Sequence, residues 1–374
     1  MSKKIKVLMA TGGTGGHVYP AIALAQQIMS EFPDSEILFV GGDLSTNRYF
    51  DRTTFAYQTV RCGSFIRKSP IAIGKACFNI GKGMWQSRAI IKKFKPDVVV
   101  GFGSYFSFPP LIAAKVLGVP LILHEANSIP GKVNRLLAPW ADVIGVHFPE
   151  TIHLVKGNAV EVGMPLRKGF QRCDIPMAEA RKYFGLSPNV TTLLVFGGSQ
   201  GANAINMLVS GAIEKFKNLP QPIQVLHFTG DKNLDESLRQ LYKEHGVEAC
   251  VKSFEANMQM AWQAADLVIA RSGAGTIAEQ LEFEIPGVLI PYPRAAENHQ
   301  EYNADFMVTR VGGAVKLNEK GLVVNRLMEC LTEFLKDDRA MLVAMKQAMY
   351  NYKRKARKRD LYALVFETVG RNVR

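Results

Sequence analysis

ATGGTGGHVYP, residues 10–20, decides the reading of this chain. The apolar run at residues 5–10 leads into it, and VYPAIALAQQIMSEF leaves it. The first reads as a short buried strand. The second puts Val18, Ile22, Ala25, Ile28 (or Met29) and Phe32 on one helical stripe. Between them stand Gly12, Gly13, Gly15 and Gly16, with Thr14 and His17. Glycine lets a backbone come close to a bulky anion and take a positive φ. A helix that starts there offers free N–H groups and the positive end of its dipole. Two readings follow: a turn facing a phosphate or diphosphate with His17 at its rim, or a tight strand-to-helix connection. The turn is not the standard dinucleotide fingerprint, because Val18 stands where the third glycine belongs. G-K-[ST] occurs nowhere in the chain, so a P-loop is excluded as well.

Outward from the turn the same alternation repeats. SEILFVGG, TTFAYQTVRCG, PDVVVGFG, GVPLILHEAN, ADVIGVHF and AVEVGMP read as strands, with RAIIKKF as a helix. Such alternation indicates a mostly parallel sheet with helices on both faces. Ligands of these sheets sit beyond the carboxyl ends of the strands. Residues 12–17, 101–104 and 124–127 all fall there. A break follows at GMPLR, residues 163–167, and from Thr191 the pattern restarts with TTLLVFGGSQGANAINMLVSGAI. QVLHFTG, ACVKSF, ADLVIARSGAGTIAEQLEF and GVLIPYP continue it. The expected class is therefore α/β: two doubly wound, Rossmann-like domains with a cleft between them.

Three motifs of the second half carry chemistry. GGSQG, residues 197–201, matches a nucleophile elbow on a strand-to-helix turn, and Asp266 and His299 follow in triad order. Alternatively, Ser199 and helix-start N–H groups hold a diphosphate, which needs no activated hydroxyl. RSGAGTIAE places Glu279 about one turn into a helix, as a dipole partner or as a bidentate acceptor for two adjacent sugar hydroxyls. RAAENHQEYNA crowds Glu297, Asn298, His299 and Gln300 after an apolar strand, where they are loop surface or recognise sugar hydroxyls. Neither D-x-D nor H-E-x-x-H occurs, and the 7 histidines show no ligand spacing, so no catalytic metal site is expected.

At 374 residues the chain suits two domains. Its five cysteines form no C-x-x-C and fit a reducing compartment. The amino-terminal segment has too few apolar residues before the glycines to read as a signal peptide. Residues 98–123 carry only Lys115, but Gly101, Gly103, Pro109, Pro110, Gly118 and Pro120 divide them into strand, loop, short helix and strand. The net charge of +13 is concentrated twice. One stretch mixes Arg67, Lys68, Lys75, Lys82, Arg88, Lys92 and Lys93 with Phe65, Ile71, Ile73, Phe78, Ile80 and Trp85. The other packs six cations into residues 353–359. A solvated helix face accounts for either run. Apolar side chains among the cations of the first suit an anionic membrane surface, and no nucleic-acid-binding motif is present.

GGTGGHVYPAIALA, GFGSYFSFPPLIAA, HEANSIPGKVNRLLA, VGMPLR, GGSQGA, RSGAGTIAE and PYPRAAENHQEYNA run in order from residue 12 to residue 304. Together they closely resemble glycosyltransferase family 28, the GT-B N-acetylglucosaminyltransferases of peptidoglycan synthesis. The resemblance implies the GT-B fold, with residues 1–165 as an acceptor- and membrane-facing domain and 166–345 as a UDP-GlcNAc-binding domain. It implies that a basic carboxyl-terminal helix, 346–374, packs back on the first domain. The implied reaction moves GlcNAc from UDP-GlcNAc to the 4-hydroxyl of the muramoyl sugar of lipid I, with inversion, on the cytoplasmic face of the plasma (inner) membrane. Implied partners are UDP-GlcNAc, lipid I, an anionic membrane surface and other cell-wall or division proteins, with no nucleic acid. No tightly bound cofactor is implied; a divalent cation is at most stimulatory.

By motif position, Thr14, Gly15 and Gly16 line the cleft and Asn127 approaches the donor sugar. Arg167 and Ser199 face the diphosphate. Ala274, Gly275, Thr276, Ile277, Ala278 and Glu279 hold the nucleoside, with Glu279 on the ribose. Gln300 recognises the GlcNAc hydroxyls, His17 is the candidate general base, and Tyr105, Gln200, Glu255 and His299 complete the set. The chain departs from the pattern at Ser104, Phe108, Ala126, Met164 and Glu255; the last takes an apolar place near the uracil, where its backbone or its side chain makes the contact. The rival activities are a UDP-GlcNAc 2-epimerase on the same plan and an esterase using Ser199.

Overall fold

The computed structural model describes residues 4–63, 69–170, 175–198, 201–321, 323–356 and 358–371. The chain divides into two units, Met1–Lys168 with Lys358–Arg374, and Gly169–Arg357.

In the first unit β1 (Lys6–Ala10), β2 (Glu36–Gly41), β3 (Tyr57–Thr59), β4 (Val98–Gly101), β5 (Leu121–Glu125), β6 (Val143–Val146) and β7 (Ala159–Glu161) form one parallel sheet, ordered β3-β2-β1-β4-β5-β6-β7. β1 shows why both faces must be covered. Val7 and Met9 enter one core with Val18, Ile22, Ala25 and Ile28 of helix α1 (Gly15–Glu31). Leu8 and Ala10 enter the other, with Ile91 of α2 (Pro70–Phe94), Leu111 of α3 (Phe108–Val116) and Val133 of α4 (Lys132–Leu137). The period of two along a strand makes this division. Ile28 takes the buried position and Met29 is exposed.

Helix α2 is continuous for 25 residues despite its glycines. Ser69 caps it by accepting from the Ala72 N–H, Pro70 opens it, and Lys92 and Lys93 sit in the last turn. Gly83 is required on its buried side, because a Cβ there would lie 1.8 Å from the Arg61 carbonyl oxygen. Residues 64–68 of the basic-apolar stretch, with Phe65, Arg67 and Lys68, lie outside the described residues.

The second unit repeats the plan. β8 (Thr191–Phe196), β9 (Ile223–Phe228), β10 (Ala249–Lys252), β11 (Leu267–Ala270), β12 (Gly287–Leu289) and β13 (Ala314–Lys316) are parallel in the order β10-β9-β8-β11-β12-β13. Its helices are α5 (Met177–Tyr183), α6 (Asn203–Ser210), α7 (Lys232–Glu244), α8 (Met258–Ala264), α9 (Ala274–Phe283), α10 (His299–Asp305), α11 (Val324–Leu335) and α12 (Ala340–Lys355). A last helix, α13 (Leu361–Arg371), belongs to the first unit.

The expected boundaries at 165/166 and 345/346 are corrected to 168/169 and 357/358. Residue 346 lies inside α12, and the chain between the two last helices takes a parallel bridge from Arg359 to Val162 beside β7. From there Leu361, Leu364, Val365 and Val369 enter the core of α1, and Phe366 meets Phe32 at 3.9 Å between ring centroids. The basic run is thus shared. Lys353 pairs with Glu282 and Glu284 in the second unit, whereas Lys358 donates to the His147 carbonyl and Arg359 pairs with Glu367 in the first. No helix among the described residues is long and apolar enough to cross a membrane.

Candidate functional site

Strand order reverses once in each sheet, between β1 and β4 and between β8 and β11. Parallel sheets open a crevice beyond the carboxyl ends at such a point. In the first unit the loops there are the glycine turn after β1 and residues 102–107 after β4. In the second they are residues 197–198 and 201–202 after β8 and 271–273 after β11.

Helix α1 begins at Gly15, so His17 lies in its first turn and not in a loop ahead of it. Its Nδ1 is 2.8 Å from the Phe102 carbonyl oxygen. A carbonyl only accepts, so Nδ1 carries the proton of the neutral ring and Nε2 carries the lone pair. Gly103, the next residue, stands at φ +75°, and a Cβ there would come tight against Asn134 Nδ2 at 3.3 Å while only touching the His17 ring. The other histidines divide into two groups. Burial pushes His124 down to about 3 and His227 to about 4, and burial with Lys358 holds His147 well below the ordinary range. His153 and His245 are exposed, His153 after β6 and His245 at the end of α7. Only His17 and His299 stand half-buried near carboxyl-end loops.

The glycine turn already holds an anion. The Gly13 N–H donates to Asp43, at 3.1 Å from each carboxylate oxygen. Asn47 Nδ2 ties the Gly13 carbonyl (2.7 Å) and Asp43 Oδ2 (2.8 Å) together. A Cβ on Gly12 would lie 2.6 Å from Asp43 Oδ1. The generic diphosphate cradle read from this turn is therefore corrected: its N–H at Gly13 serves the chain's own carboxylate. Thr14 and Gly16 are exposed at the helix start, and Gly15 is buried against Tyr19.

Two neighbouring loops complete this edge. Ser104 takes φ +77°, the left-handed conformation that suits the glycine it replaces, while its Oγ accepts from the Phe106 N–H. Tyr105 packs against the core on the α3 side. After β5, the buried Glu125 carboxylate accepts from the Asn127 N–H (2.9 Å), the Asn127 side chain (3.4 Å), the Gly131 N–H (2.9 Å) and Asn134 Nδ2 (2.9 Å). Asn127 is thus placed by a residue that motif reading passed over; the signal was a carboxylate followed by Asn and Gly at turn spacing. Arg167 falls in the first unit, its guanidinium 4.2 Å over the Tyr19 ring of α1.

In the second unit Ser199 and Gln200 lie outside the described residues. Around them Gly197 and Gly201 are required, since a Cβ would come within 2.2 Å of the Ala202 nitrogen and 2.5 Å of the Thr229 oxygen respectively. Gly273 opens α9, which presents the N–H groups of Ala274, Gly275 and Thr276. Ile277 and Ala278 face the core. Glu279 Oε2 accepts from the indole of the fully buried Trp262 at 2.8 Å, which fixes the carboxylate one and a half turns into the helix.

The loops after β11 and β12 are tied into one piece. Arg271 donates to the Ile290 and Pro291 carbonyls, Ser272 Oγ donates to the Gln300 carbonyl, and the Tyr292 N–H donates to Gln300 Oε1 at 2.9 Å. Gln300 therefore offers its Nε2 donors. Glu255 turns its side chain inward. Burial raises its pKa, but the bonds from Lys252 Nζ and the Asn257 N–H, both 2.8 Å, outweigh that and lower it. Its carboxylate is engaged, so any ligand contact at this position falls to the backbone.

The triad reading fails on geometry. Asp266 precedes β11 at the amino edge of the sheet, where Oδ2 accepts from Arg181 (2.6 Å) and the Thr192 N–H (2.8 Å). His299 follows β12 at the carboxyl edge, with Nδ1 donating to the Ala296 carbonyl at 2.7 Å. No group of three or more metal-ligating side chains occurs among the described residues.

A sequence model of the glycosyltransferase family 28 N-terminal domain matches residues 7–146, and one of the family 28 C-terminal domain matches residues 192–361. The UDP-N-acetylglucosamine–N-acetylmuramyl-(pentapeptide) pyrophosphoryl-undecaprenol N-acetylglucosamine transferase of Protochlamydia amoebophila is 50% identical over 98% of this chain and 96% of its own. The relative of the same name from Carboxydothermus hydrogenoformans is 37% identical over 91% of each. Among solved structures, Acinetobacter baumannii MurG superposes with a TM-score of 0.76 at 25% identity, covering 99% of this chain and 100% of that one.

Proposed function

The chain belongs to glycosyltransferase family 28, and from that premise we propose that it moves GlcNAc from UDP-GlcNAc to the muramyl 4-hydroxyl of lipid I, giving lipid II and UDP with inversion. The substrates rest on the name its near-full-length relatives share. The chemistry rests on one observation, the His17–Phe102 hydrogen bond. Displacement at the anomeric carbon by an alcohol needs the hydroxyl proton removed as the new bond forms. An imidazole whose Nδ1–H is held by a carbonyl presents Nε2 for that task, and so His17 is the general base.

The second unit holds the donor. The helix-start N–H groups of α9 and α6, with Ser199, meet the negative charge that develops on the leaving diphosphate. Glu279, steadied by Trp262, accepts the ribose hydroxyls. Gln300 donates to a GlcNAc hydroxyl. A divalent cation enters this scheme only as a companion of the diphosphate, with no resident site assigned to it. The deciding experiment supplies radiolabelled UDP-GlcNAc and lipid I and looks for label in an extractable lipid. Label that stays in water-soluble products overturns the reading.

For Gln300 the expected result uses Gln300→Glu, which keeps an oxygen for the Tyr292 N–H and removes the donors. Preference for UDP-GlcNAc over UDP-GalNAc falls about five- to tenfold, the worth of one hydrogen bond. Competition kinetics with the two donors measure it, and an unchanged ratio removes Gln300 from sugar recognition.

The enzyme works at a membrane surface. On α2, Ile71, Phe78 and Trp85 recur every seven residues and are 86%, 66% and 72% exposed. Lys82, Arg88 and Lys92 accompany them on the exposed helix. Ile73 lies off this stripe and is 42% exposed. Apolar insertion with lipid attraction suits a peripheral protein on an anionic leaflet, here the cytoplasmic face of the plasma membrane. Ile71→Ser with Phe78→Ser is expected to weaken sedimentation with phosphatidylglycerol vesicles at least tenfold, a lower bound for removing two inserted apolar side chains, each worth about 1.5–3 kcal/mol when fully buried. Undiminished sedimentation would exclude this stripe as the anchor.

A further inference from the structure

The first unit carries a pocket of about 420 Å³ that the reaction above leaves unused. It lies beside the glycine turn and shares a wall with it. Phe106 lines the pocket, and the same ring packs on the turn, so that a Cβ on Gly13 would lie 3.2 Å from Phe106 Cδ2. Arg61 and Lys75 bring two cations to the pocket, and Asn79 and Gln86 bring amides. The Arg61 main chain is fixed on α2: its N–H donates to Gln86 Oε1 at 2.8 Å, and its carbonyl lies against Gly83. Neither Arg61 nor Lys75 pairs with a carboxylate among the described residues. Cys62, also in the lining, is no nucleophile. Burial, then Asp43, pushes its thiol up to about 12.

Two observations select the ligand. Asp43 takes the Gly13 N–H with both oxygens, so an anion arriving at this edge finds the turn occupied and the Arg61–Lys75 pair unpaired. Helix α2 also sets Lys75, Asn79 and Gln86 on one stripe, roughly 80° around the axis from Ile71, Phe78 and Trp85 at 100° per residue. The acceptor named by the relatives joins its pyrophosphoryl group directly to undecaprenol, and the pentapeptide belongs to the muramyl part beyond it. When the polyprenyl chain meets the apolar stripe, the group beside it is the diphosphate.

We propose that this pocket holds the diphosphate of the polyprenyl-diphosphate acceptor, with Arg61 and Lys75 as its counter-charges and Asn79 and Gln86 as N–H donors. The assignment rests on the acceptor given under Proposed function. It places the acceptor's charge away from the glycine turn and leaves that turn to the reacting sugar. Charge-assisted bonds to a diphosphate favour Arg and Lys in this pairing.

The test titrates farnesyl diphosphate calorimetrically into the full chain without membranes. Wild type binds, farnesyl monophosphate binds more weakly, and Arg61→Gln with Lys75→Gln loses tenfold or more. Both side chains are exposed, so the double variant is expected to unfold at the wild-type temperature, and Lys75→Gln alone gives a smaller loss in the same direction. In turnover the double variant raises the KM for lipid I tenfold or more without moving the KM for UDP-GlcNAc. Unchanged farnesyl diphosphate affinity overturns the proposal. So does a double variant that loses only a muramyl pentapeptide lacking the diphosphate, which makes the ligand a peptide carboxylate, or only phosphatidylglycerol vesicles, which makes it a lipid headgroup. If wild type transfers no GlcNAc yet binds farnesyl diphosphate through Arg61 and Lys75, the reaction falls and the pocket stands. If it transfers GlcNAc and the double variant is unaltered, the pocket falls and the reaction stands.

Discussion

His17→Ala lowers kcat by about two to four orders of magnitude, the usual worth of a positioned base, and leaves the affinity for UDP-GlcNAc within about twofold. The two parts of this expectation have separate causes. Nε2 acts only on the acceptor hydroxyl as it attacks, so its loss is felt in the transition state and not in donor binding. The donor contacts proposed above for Glu279 and Gln300 lie on α9 and α10 of the second unit, outside the substituted helix. Single-turnover kinetics with saturating lipid I, beside equilibrium titration of UDP-GlcNAc, separate the two. A variant that keeps wild-type kcat would remove His17 as the base. One that loses donor affinity in proportion to kcat would make it a binding residue. Gly103→Ala offers a gentler check from the other side of the hydrogen bond. A Cβ there is strained at φ +75° and comes tight against Asn134 Nδ2 at 3.3 Å, which displaces the backbone beside the Phe102 carbonyl, so a smaller loss of the same kind is expected.

The strands were legible because parallel strands buried on both faces are nearly continuous apolar runs. VVVG, VIGV and TTLLVF admit little else, and the glycine or polar residues that follow them mark the carboxyl edge. Strand order was not legible. Nothing in residues 6–10 or 98–101 says that they are neighbours, yet that pairing creates the switch point and brings His17 to the Phe102 carbonyl. Only the last turns of α2, RAIIKKF, read as helix; that the helix runs on through Gly83 depends on the Arg61 carbonyl packed against it, which the sequence does not display. Asp43 and Glu125 escaped notice for a related reason. Each is a carboxylate whose partners are backbone N–H groups and amides, and such bonds leave no residue-type signature. The basic run at 353–359 looked like one surface because charge is visible in sequence and the crossing between units is not.

Glu125→Ala is expected to cost roughly 3–5 kcal/mol, because it removes the acceptor of the Asn127 and Gly131 N–H groups and one of the two acceptors of the buried Asn134 amide, and hydrogen bonds to a charged group are each worth about 1.5–3 kcal/mol. For a unit of this size that is a fall in Tm on the order of 10 °C. Glu125→Gln is the sharper variant, since it keeps shape and removes only acceptor capacity. Oε1 can still accept from Asn127, but an amide NH2 in the place of Oε2 would face the Gly131 N–H and Asn134 Nδ2, two donors against a donor. A loss of about 2–3 kcal/mol follows. It should come with a fall in kcat/KM, because Asn134 also donates to the His124 carbonyl and borders Gly103, next to the carbonyl that holds His17. The carboxylate is thus a positioning residue, acting on Asn127 directly and on His17 through Asn134 and Gly103. Urea unfolding and acceptor kinetics on the same preparations decide it. A Glu125→Gln protein as stable as wild type would mean that the loop finds its acceptors elsewhere. One that is less stable yet unchanged in kcat/KM would make Glu125 a support of the fold alone.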